Sequence, residues 1–336
     1  MSNGRALHDL SEAAAVDASA RDFDRFMRLL DGELEPLRFQ ARDLLRRYGE
    51  AYAQDAVFIL EKLDRFARLD GEDLETALRC YARYLEQVVV ERRRYHDRTG
   101  RYGKSEPELE ALWNDPPRQR LYLYTLTLST VFNRSRYELL RDFREVLEEF
   151  PPRRGAILEI GAGNCLNASL ASAYGTVAAF EKNGLSEAWR RLLDPCGKID
   201  LRIDHYDFAE PPRYDMVVMI EILEHVKDPS SWLRGAHNVL KQSGLAYVTF
   251  AIRMPQEDHL FEFTTVGECR EMISRSAFHL WHEQCLIDTY YPFEEEERWP
   301  LADDEAQAVV YCCLVGKDRP PMIDGQWRRY TGKIDG

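Results

Sequence analysis

The hydrophobic pattern of this chain changes period at Pro151-Pro152, and that change limits the possible folds more than any other feature. Upstream, Ala56, Ile59, Leu60, Leu63, Phe66 and Ala67 recur at three- and four-residue steps. Leu74, Ala77, Leu78, Tyr81, Leu85, Val88 and Val89 repeat that spacing, which is the period of a single buried helix stripe. Asp31-Gly32, Asp70-Gly71 and Asn114-Asp115-Pro116-Pro117 punctuate the helices, and a last helical stretch is predicted over Ser135–Phe150. Downstream, short apolar runs alternate with helical stretches. The runs are Ala156–Ile160, Val177–Phe180, Ile199–Ile203, Met216–Ile220, Leu245–Phe250, His279–Ile287 and Ala308–Val315. The intervening helices are predicted at Leu166–Tyr174, Leu185–Leu193, Ser230–Leu240 and Val266–Ser276.

Strand–helix alternation of this kind predicts an α/β fold, a doubly wound, seven-stranded and mostly parallel sheet with helices on both faces. Only a loop, Tyr290–Glu305 with its acidic run Glu294–Glu297, separates the last two strands, so they are expected to pair as an antiparallel hairpin. Three parts follow: an all-helical N-terminal domain over 1–150, the sheet domain over 151–318, and a C-terminal tail over 319–336.

Composition excludes several classes. A 45% hydrophobic share argues against long disorder, and no apolar run reaches the ~18 residues of a membrane span. The N-terminus MSNGRALHDLSEAAAVDAS has neither a basic start nor an apolar core, which predicts no secretory signal and a cytoplasmic protein without membrane partners. A net charge of −13 repels phosphate backbones and argues against nucleic acid as partner. The seven cysteines contain no C-x-x-C pair, so zinc-ribbon and redox-motif readings fail and reduced thiols fit.

The most informative segment is Ile157-Leu158-Glu159-Ile160-Gly161-Ala162-Gly163-Asn164-Cys165, a buried strand that enters a glycine turn and then a helix. Glycines there let the backbone turn sharply and approach a ligand closely. The dinucleotide fingerprint G-x-G-x-x-G lacks its third glycine, because Leu166 stands in that place. Glu181 ends the second strand, 22 residues beyond Glu159, where an acidic residue in doubly wound folds accepts hydrogen bonds from ribose hydroxyls. Asp204-His205-Tyr206-Asp207-Phe208 follows the third strand, and Glu221-Ile222-Leu223-Glu224-His225-Val226 follows the fourth. All these lie at carboxyl ends of strands, where such sheets bind ligands.

Taken together, E-I-G-A-G-N-C, Asp204–Phe208, EILEHVKDP and Lys241-Gln242-Ser243-Gly244-Leu245 resemble, in order and spacing, the motifs of class I S-adenosylmethionine-dependent methyltransferases. The resemblance covers about residues 150–315 and implies a Rossmann-like domain that binds S-adenosyl-L-methionine. It implies that Gly161, Gly163 and Asn164 pass along the methionine part, with Glu159 beneath the turn near the amino group. Glu181 would then bind ribose, Asp204 and His205 the adenine, and Glu221 the wall near the sulfonium. Cys165 stands where this family usually has a third glycine. Carboxylates suit a ligand rich in donors, since an ionised carboxylate only accepts hydrogen bonds.

Three residues are candidates for the chemistry. Asp258 and His259 lie in the polar loop Arg253–Phe263 after the fifth strand, and His225 follows the fourth. Either histidine could act as general base, or His225 could anchor its loop. No metal is predicted. A set of Asp258 and His259 with His279 and His282 lacks diagnostic spacing, although it looks like the metal sites of methyltransferases acting on the carbon of α-keto acids. The function that the resemblance implies is methyl transfer to a small-molecule acceptor, nitrogen slightly ahead of oxygen and carbon because acidic charge lies near the cleft. A metal-assisted C-methyltransferase of an α-keto acid and a non-catalytic S-adenosylmethionine-binding partner protein stay open. The helical part would serve as a cap over the cleft or as a homodimer interface.

Overall fold

The computed structural model describes residues 22–96, 114–152, 155–254, 256, 258–288, 308–323, 326–327 and 330–331. Glu294–Glu297 lie outside the described residues.

Among the described residues, four long helices precede the sheet. They are α1 (Glu35–Arg68), α2 (Leu74–His96), α3 (Pro116–Phe132) and α4 (Arg134–Glu149), and a short helical stretch over 22–29 leads into them. Gly49 kinks α1 with φ +60, a conformation that costs glycine little, between the buried positions Leu37, Ala41 and Leu44 and those from Tyr52 onward. Pro116 and Pro117 open α3, where a missing amide proton costs nothing. Asn133 separates α3 from α4, accepting a hydrogen bond at its side chain from the Arg136 amide as N-cap.

The sheet strands are β1 (Ala156–Ile160), β2 (Thr176–Glu181), β3 (Ile199–Ile203), β4 (Tyr214–Met219), β5 (Leu240–Ile252), β6 (His279–Ile287) and β7 (Val309–Gly316). Between them run α5 (Leu166–Ala171), α6 (Ser186–Leu193), α7 (Pro229–Val239) and α8 (Val266–Arg275). The spatial order is β3-β2-β1-β4-β5-β7-β6, parallel except for β7, which pairs antiparallel with both β5 and β6. The seven expected strands are therefore present, and the expected hairpin forms with β7 inserted beside β5. The tail adds a small hairpin, β8 (Met322–Ile323) with β9 (Gln326–Trp327). It also adds a two-residue eighth strand, β10 (Tyr330–Thr331), parallel to β6. So short a pairing carries no hydrophobic period, which is why the sequence pattern does not announce it.

Two-residue alternation divides the sheet between two cores. Ile157, Val177, Ala179, Met216, Val218, Tyr247, Ala251, Cys312 and Leu314 face the N-terminal helices together with α5 and α6. Leu158, Ile160, Phe180, Val217, Met219, Val248, Phe250, Tyr311 and Cys313 face the opposite way, with α7 and α8. The first core runs without interruption from the helices upstream of residue 150 into the sheet. Phe66 of α1 stacks on Trp189 of α6 at 5.0 Å, and Phe143 of α4 meets Tyr247 of β5 at 5.0 Å. Among the described residues no helix is long and apolar enough to cross a membrane.

Candidate functional site

The turn after β1 lies at the carboxyl edge of the sheet, against the ends of β2 and β4: the Gly161 and Ala162 amides donate to the Phe180 carbonyl, and Ile222 packs on Gly161. Gly161 and Gly163 take φ of +75 and +51, in the left-handed region where a side chain is strained. Their lack of a Cβ is also used for space. A Cβ on Gly161 would collide with Ile222, and one on Gly163 would stand 2.5 Å from Leu126 Cδ2 of α3. Cys165 also takes a left-handed conformation, φ +58, and its side chain is fully buried. Its departure from the usual glycine thus shows up as backbone strain, which for a residue with a Cβ costs about 1–2 kcal/mol. Cys165→Gly is expected to stay within about 1 kcal/mol of wild type, relief of strain offsetting lost thiol packing, while β-branched Cys165→Val should cost more. Urea unfolding of both variants checks this.

Glu181 is buried and holds the turn together. Its Oε2 accepts from the Gly163 amide at 2.7 Å, and Oε1 accepts from the Lys182 and Asn183 amides at 2.8 and 2.9 Å. Below the turn, Glu159 is only 2% exposed, and its Oε2 accepts no hydrogen bond among the described residues. Burial first, and then the carboxylate of Glu181, push Glu159 well above its ordinary value of 4.5. A buried carboxylate oxygen without a donor is costly, so the position fits a group that arrives carrying a positive charge. Asn164 hydrogen-bonds through Nδ2 to Thr127 Oγ1 of α3 at 2.9 Å, and Asn183 through Nδ2 to the Gln119 carbonyl at 2.9 Å. Helix α3 therefore lies directly on the glycine turn, a contact between segments far apart in sequence that spacing alone does not reveal.

Asp204 and His205 lie together at the end of β3, both exposed, with the His205 ring 5.5 Å from that of Trp232. Glu221 follows β4 with φ +55 and accepts an ion pair from Arg136 of α4. Its amide donates to Thr249 Oγ1 at 2.7 Å. Sequence reasoning missed Arg136. The available signal was a cation on the buried stripe of α4, four residues before Leu140 and seven before Phe143. Tyr122 of α3 sits near Glu181, Asp258, Arg136 and Glu221; burial first, then Glu181 and Asp258, push its phenol well above 10.

The candidate catalytic residues do come together. Glu224 and His225 form a short 3-10 turn after Ile222, and the loop after β5 is stitched to it. The Leu260 and Phe261 amides both donate to the Glu224 carbonyl, at 2.7 and 2.9 Å. His225 Nδ1 lies 2.9 Å from the Asp258 carbonyl and 3.7 Å from its Oδ2, and the His225 and His259 rings meet edge-on at 4.9 Å. Burial and the neighbouring Glu221 push Glu224 up to about 8. His279 and His282 do not join this group. Strand register puts His279 opposite Gly316, which pairs with Leu245 at the start of the parallel run, away from the site edge. His282 is buried against Asp142 of α4, Nε2 to Oδ1 at 2.7 Å.

Residues 132–289 match a family model described as a methyltransferase domain. Over 117 residues the chain is 31% identical to the ubiquinone biosynthesis O-methyltransferase of Pseudomonas syringae pv. tomato, covering 33% of this chain and 49% of that protein. The namesake from Bordetella bronchiseptica is likewise 31% identical over 117 residues, covering 33% of this chain and 47% of the other. The chain thus spans about half the length of the curated relatives it matches. Among solved structures, the DhpI-SAH complex is similar with a TM-score of 0.42 and 16% identity, over 63% of this chain and 98% of the other.

Proposed function

We propose that this chain, whose residues 132–289 are a methyltransferase domain of the class I S-adenosylmethionine-dependent kind, transfers a methyl group to a small-molecule acceptor. The observation that carries the reading is the buried, unanswered oxygen of Glu159 directly beneath a glycine turn. A carboxylate there suits the amino group of a methionine moiety, and the turn's missing Cβ atoms leave its backbone approachable. Glu181 fixes the turn through three amides and presents the edge of its carboxylate to ribose hydroxyls. Asp204 and His205 stand at the exposed adenine end, and Glu221, held by Arg136, forms the wall at the sulfonium. S-adenosylmethionine, when bound, supplies an electrophilic methyl group on a sulfonium.

Two further roles belong to the protein. Helix α3 sets Leu126, Tyr122 and Thr127 on the turn, so we read the helical part as a cap that must shift to admit cofactor and then excludes water. The acceptor end is lined by His225, Asp258 and His259, where we place activation of the acceptor. Glu181 and Glu221 are both engaged and so offer an amine little unanswered charge. We take the acceptor to be a hydroxyl, in keeping with relatives that are named O-methyltransferases.

Calorimetric titration with S-adenosylmethionine and S-adenosylhomocysteine tests the cofactor. Micromolar binding is expected. Glu181→Ala should weaken it by about 10- to 100-fold, the worth of one or two hydrogen bonds to a charged group. Absence of binding by the wild-type protein would overturn the reading.

A further inference from the structure

Glu224 is fully buried, yet neither of its carboxylate oxygens accepts a hydrogen bond among the described residues. Burying such a group with nothing to answer it is unfavourable by several kcal/mol, so the surroundings should offer a cation or the group should be held neutral. Besides Glu221, Arg136 and its own amide, two imidazoles lie close to it. One atom each from Glu224, His225 and His259 lie within 4.8 Å of one another. Metal bonds of about 2.0–2.2 Å put opposite donors a little over 4 Å apart, so small side-chain rotations bring all three onto one ion.

The orientation of His225 points the same way. Its Nδ1 lies 2.9 Å from the Asp258 carbonyl oxygen, and a carbonyl only accepts, so Nδ1 carries the proton. In the neutral ring Nε2 is then the nitrogen that can ligate, the arrangement by which an outer carbonyl fixes the tautomer of a metal-ligating histidine. The backbone is fixed as well. Glu224 and His225 come from the turn after β4 and His259 from the loop after β5, and two amides of that loop tie it to the Glu224 carbonyl. His259 is itself 2% exposed, so its ring is held in place by packing rather than free in solvent.

We infer that Glu224, His225 and His259 form a binding site for one divalent transition-metal ion at the carboxyl edge of the sheet. Two imidazole nitrogens and one carboxylate oxygen are donors that suit zinc, manganese, cobalt or ferrous iron better than magnesium or calcium. Given the methyl transfer proposed above, an ion here would hold an acceptor hydroxyl and lower its pKa. Binding of the ion itself needs neither cofactor nor acceptor.

The test uses the full chain, stripped with chelator and titrated with Zn²⁺, Mn²⁺ and Co²⁺ in the absence of S-adenosylmethionine. One equivalent of Zn²⁺ per chain is expected. Glu224→Gln, and separately the double change His225→Asn with His259→Asn, should weaken it at least tenfold, while His237→Gln on α7 should not. Bound Mn²⁺, which thiols hold poorly, should show the same dependence by electron paramagnetic resonance. The spectrum of bound Co²⁺ decides even if a variant fails to fold. Weak visible bands without thiolate charge transfer are expected from nitrogen and oxygen ligands. A thiolate band, less than half an equivalent of ion, or unchanged affinity in the well-folded variants would overturn the site. Failure of cofactor binding would leave these metal readouts untouched, so the two readings fall separately.

Discussion

Asp142→Ala should destabilise the fold by about 3–5 kcal/mol, the typical cost of removing one partner from a buried charged pair. Asp142 of α4 is 3% exposed and answers two donors at once. Its Oδ2 accepts from the Tyr247 hydroxyl of β5 at 2.6 Å, and its Oδ1 meets His282 Nε2 of β6 at 2.7 Å. Tyr247 and His282 are 0% and 2% exposed, so alanine at position 142 leaves two polar groups in the core with no water to replace the carboxylate. Burial, and next to it Asp142, push the Tyr247 phenol well above its ordinary 10, so the hydroxyl keeps its proton and remains a donor. Asp142→Asn keeps the shape but turns one acceptor into a donor facing a donor, and an intermediate loss of about 1–3 kcal/mol is expected. Urea unfolding of both variants is the measurement. A loss below 1 kcal/mol for the alanine variant would mean that this buried polar cluster adds little to the docking of α4 on the sheet.

That triad also shows where sequence reading ended. The strands and their order of appearance were legible because each is a short apolar run between turn residues, and β6 was placed to its terminal residues, His279–Ile287. The glycine turn and the acidic residues at strand ends were legible because their spacing is local. Asp142 and His282 are 140 residues apart, and nothing short-range couples them. One local sign existed: Asp142 lies on the buried stripe of α4, three residues after Leu139 and four before Val146, where a carboxylate must find a partner. Arg136 gave the same sign on the same helix. Glu224 gave none, since within EILEHVKDP it reads as one acid among several, and only the three-dimensional turn shows that it is sealed from water. The docking of α3 on Gly163 was hidden for a different reason. It depends on how one helix lies across another segment, and the apolar stripe that decides this is the same for many crossing angles.

Glu159→Gln should change stability and cofactor affinity in opposite directions. In the folded chain burial, reinforced by Glu181, raises the Glu159 carboxyl well above 4.5, whereas in the unfolded chain it titrates near that ordinary value. From pH 4.5 up to its folded value the native state therefore binds more protons than the unfolded one. Stability of the wild-type protein must then fall as pH rises through that window. Glutamine fills the same space without a proton to lose, so the variant should be the more stable of the two at pH 8 and gain little at pH 4. Cofactor binding should respond the other way. An ammonium group beneath the glycine turn favours the carboxylate, so wild-type binding should release a proton, visible as a dependence of binding enthalpy on the ionisation enthalpy of the buffer. The glutamine variant should release none there and bind S-adenosylhomocysteine about 10- to 100-fold more weakly, as expected for one lost charge-assisted hydrogen bond. A variant that gained stability yet bound as tightly as wild type would make Glu159 a strained support of the turn, and the amino group would have to be held by other atoms. A variant that bound weakly without gaining stability would mean that the wild-type carboxylate is already answered in the free protein, which its unpaired Oε2 argues against.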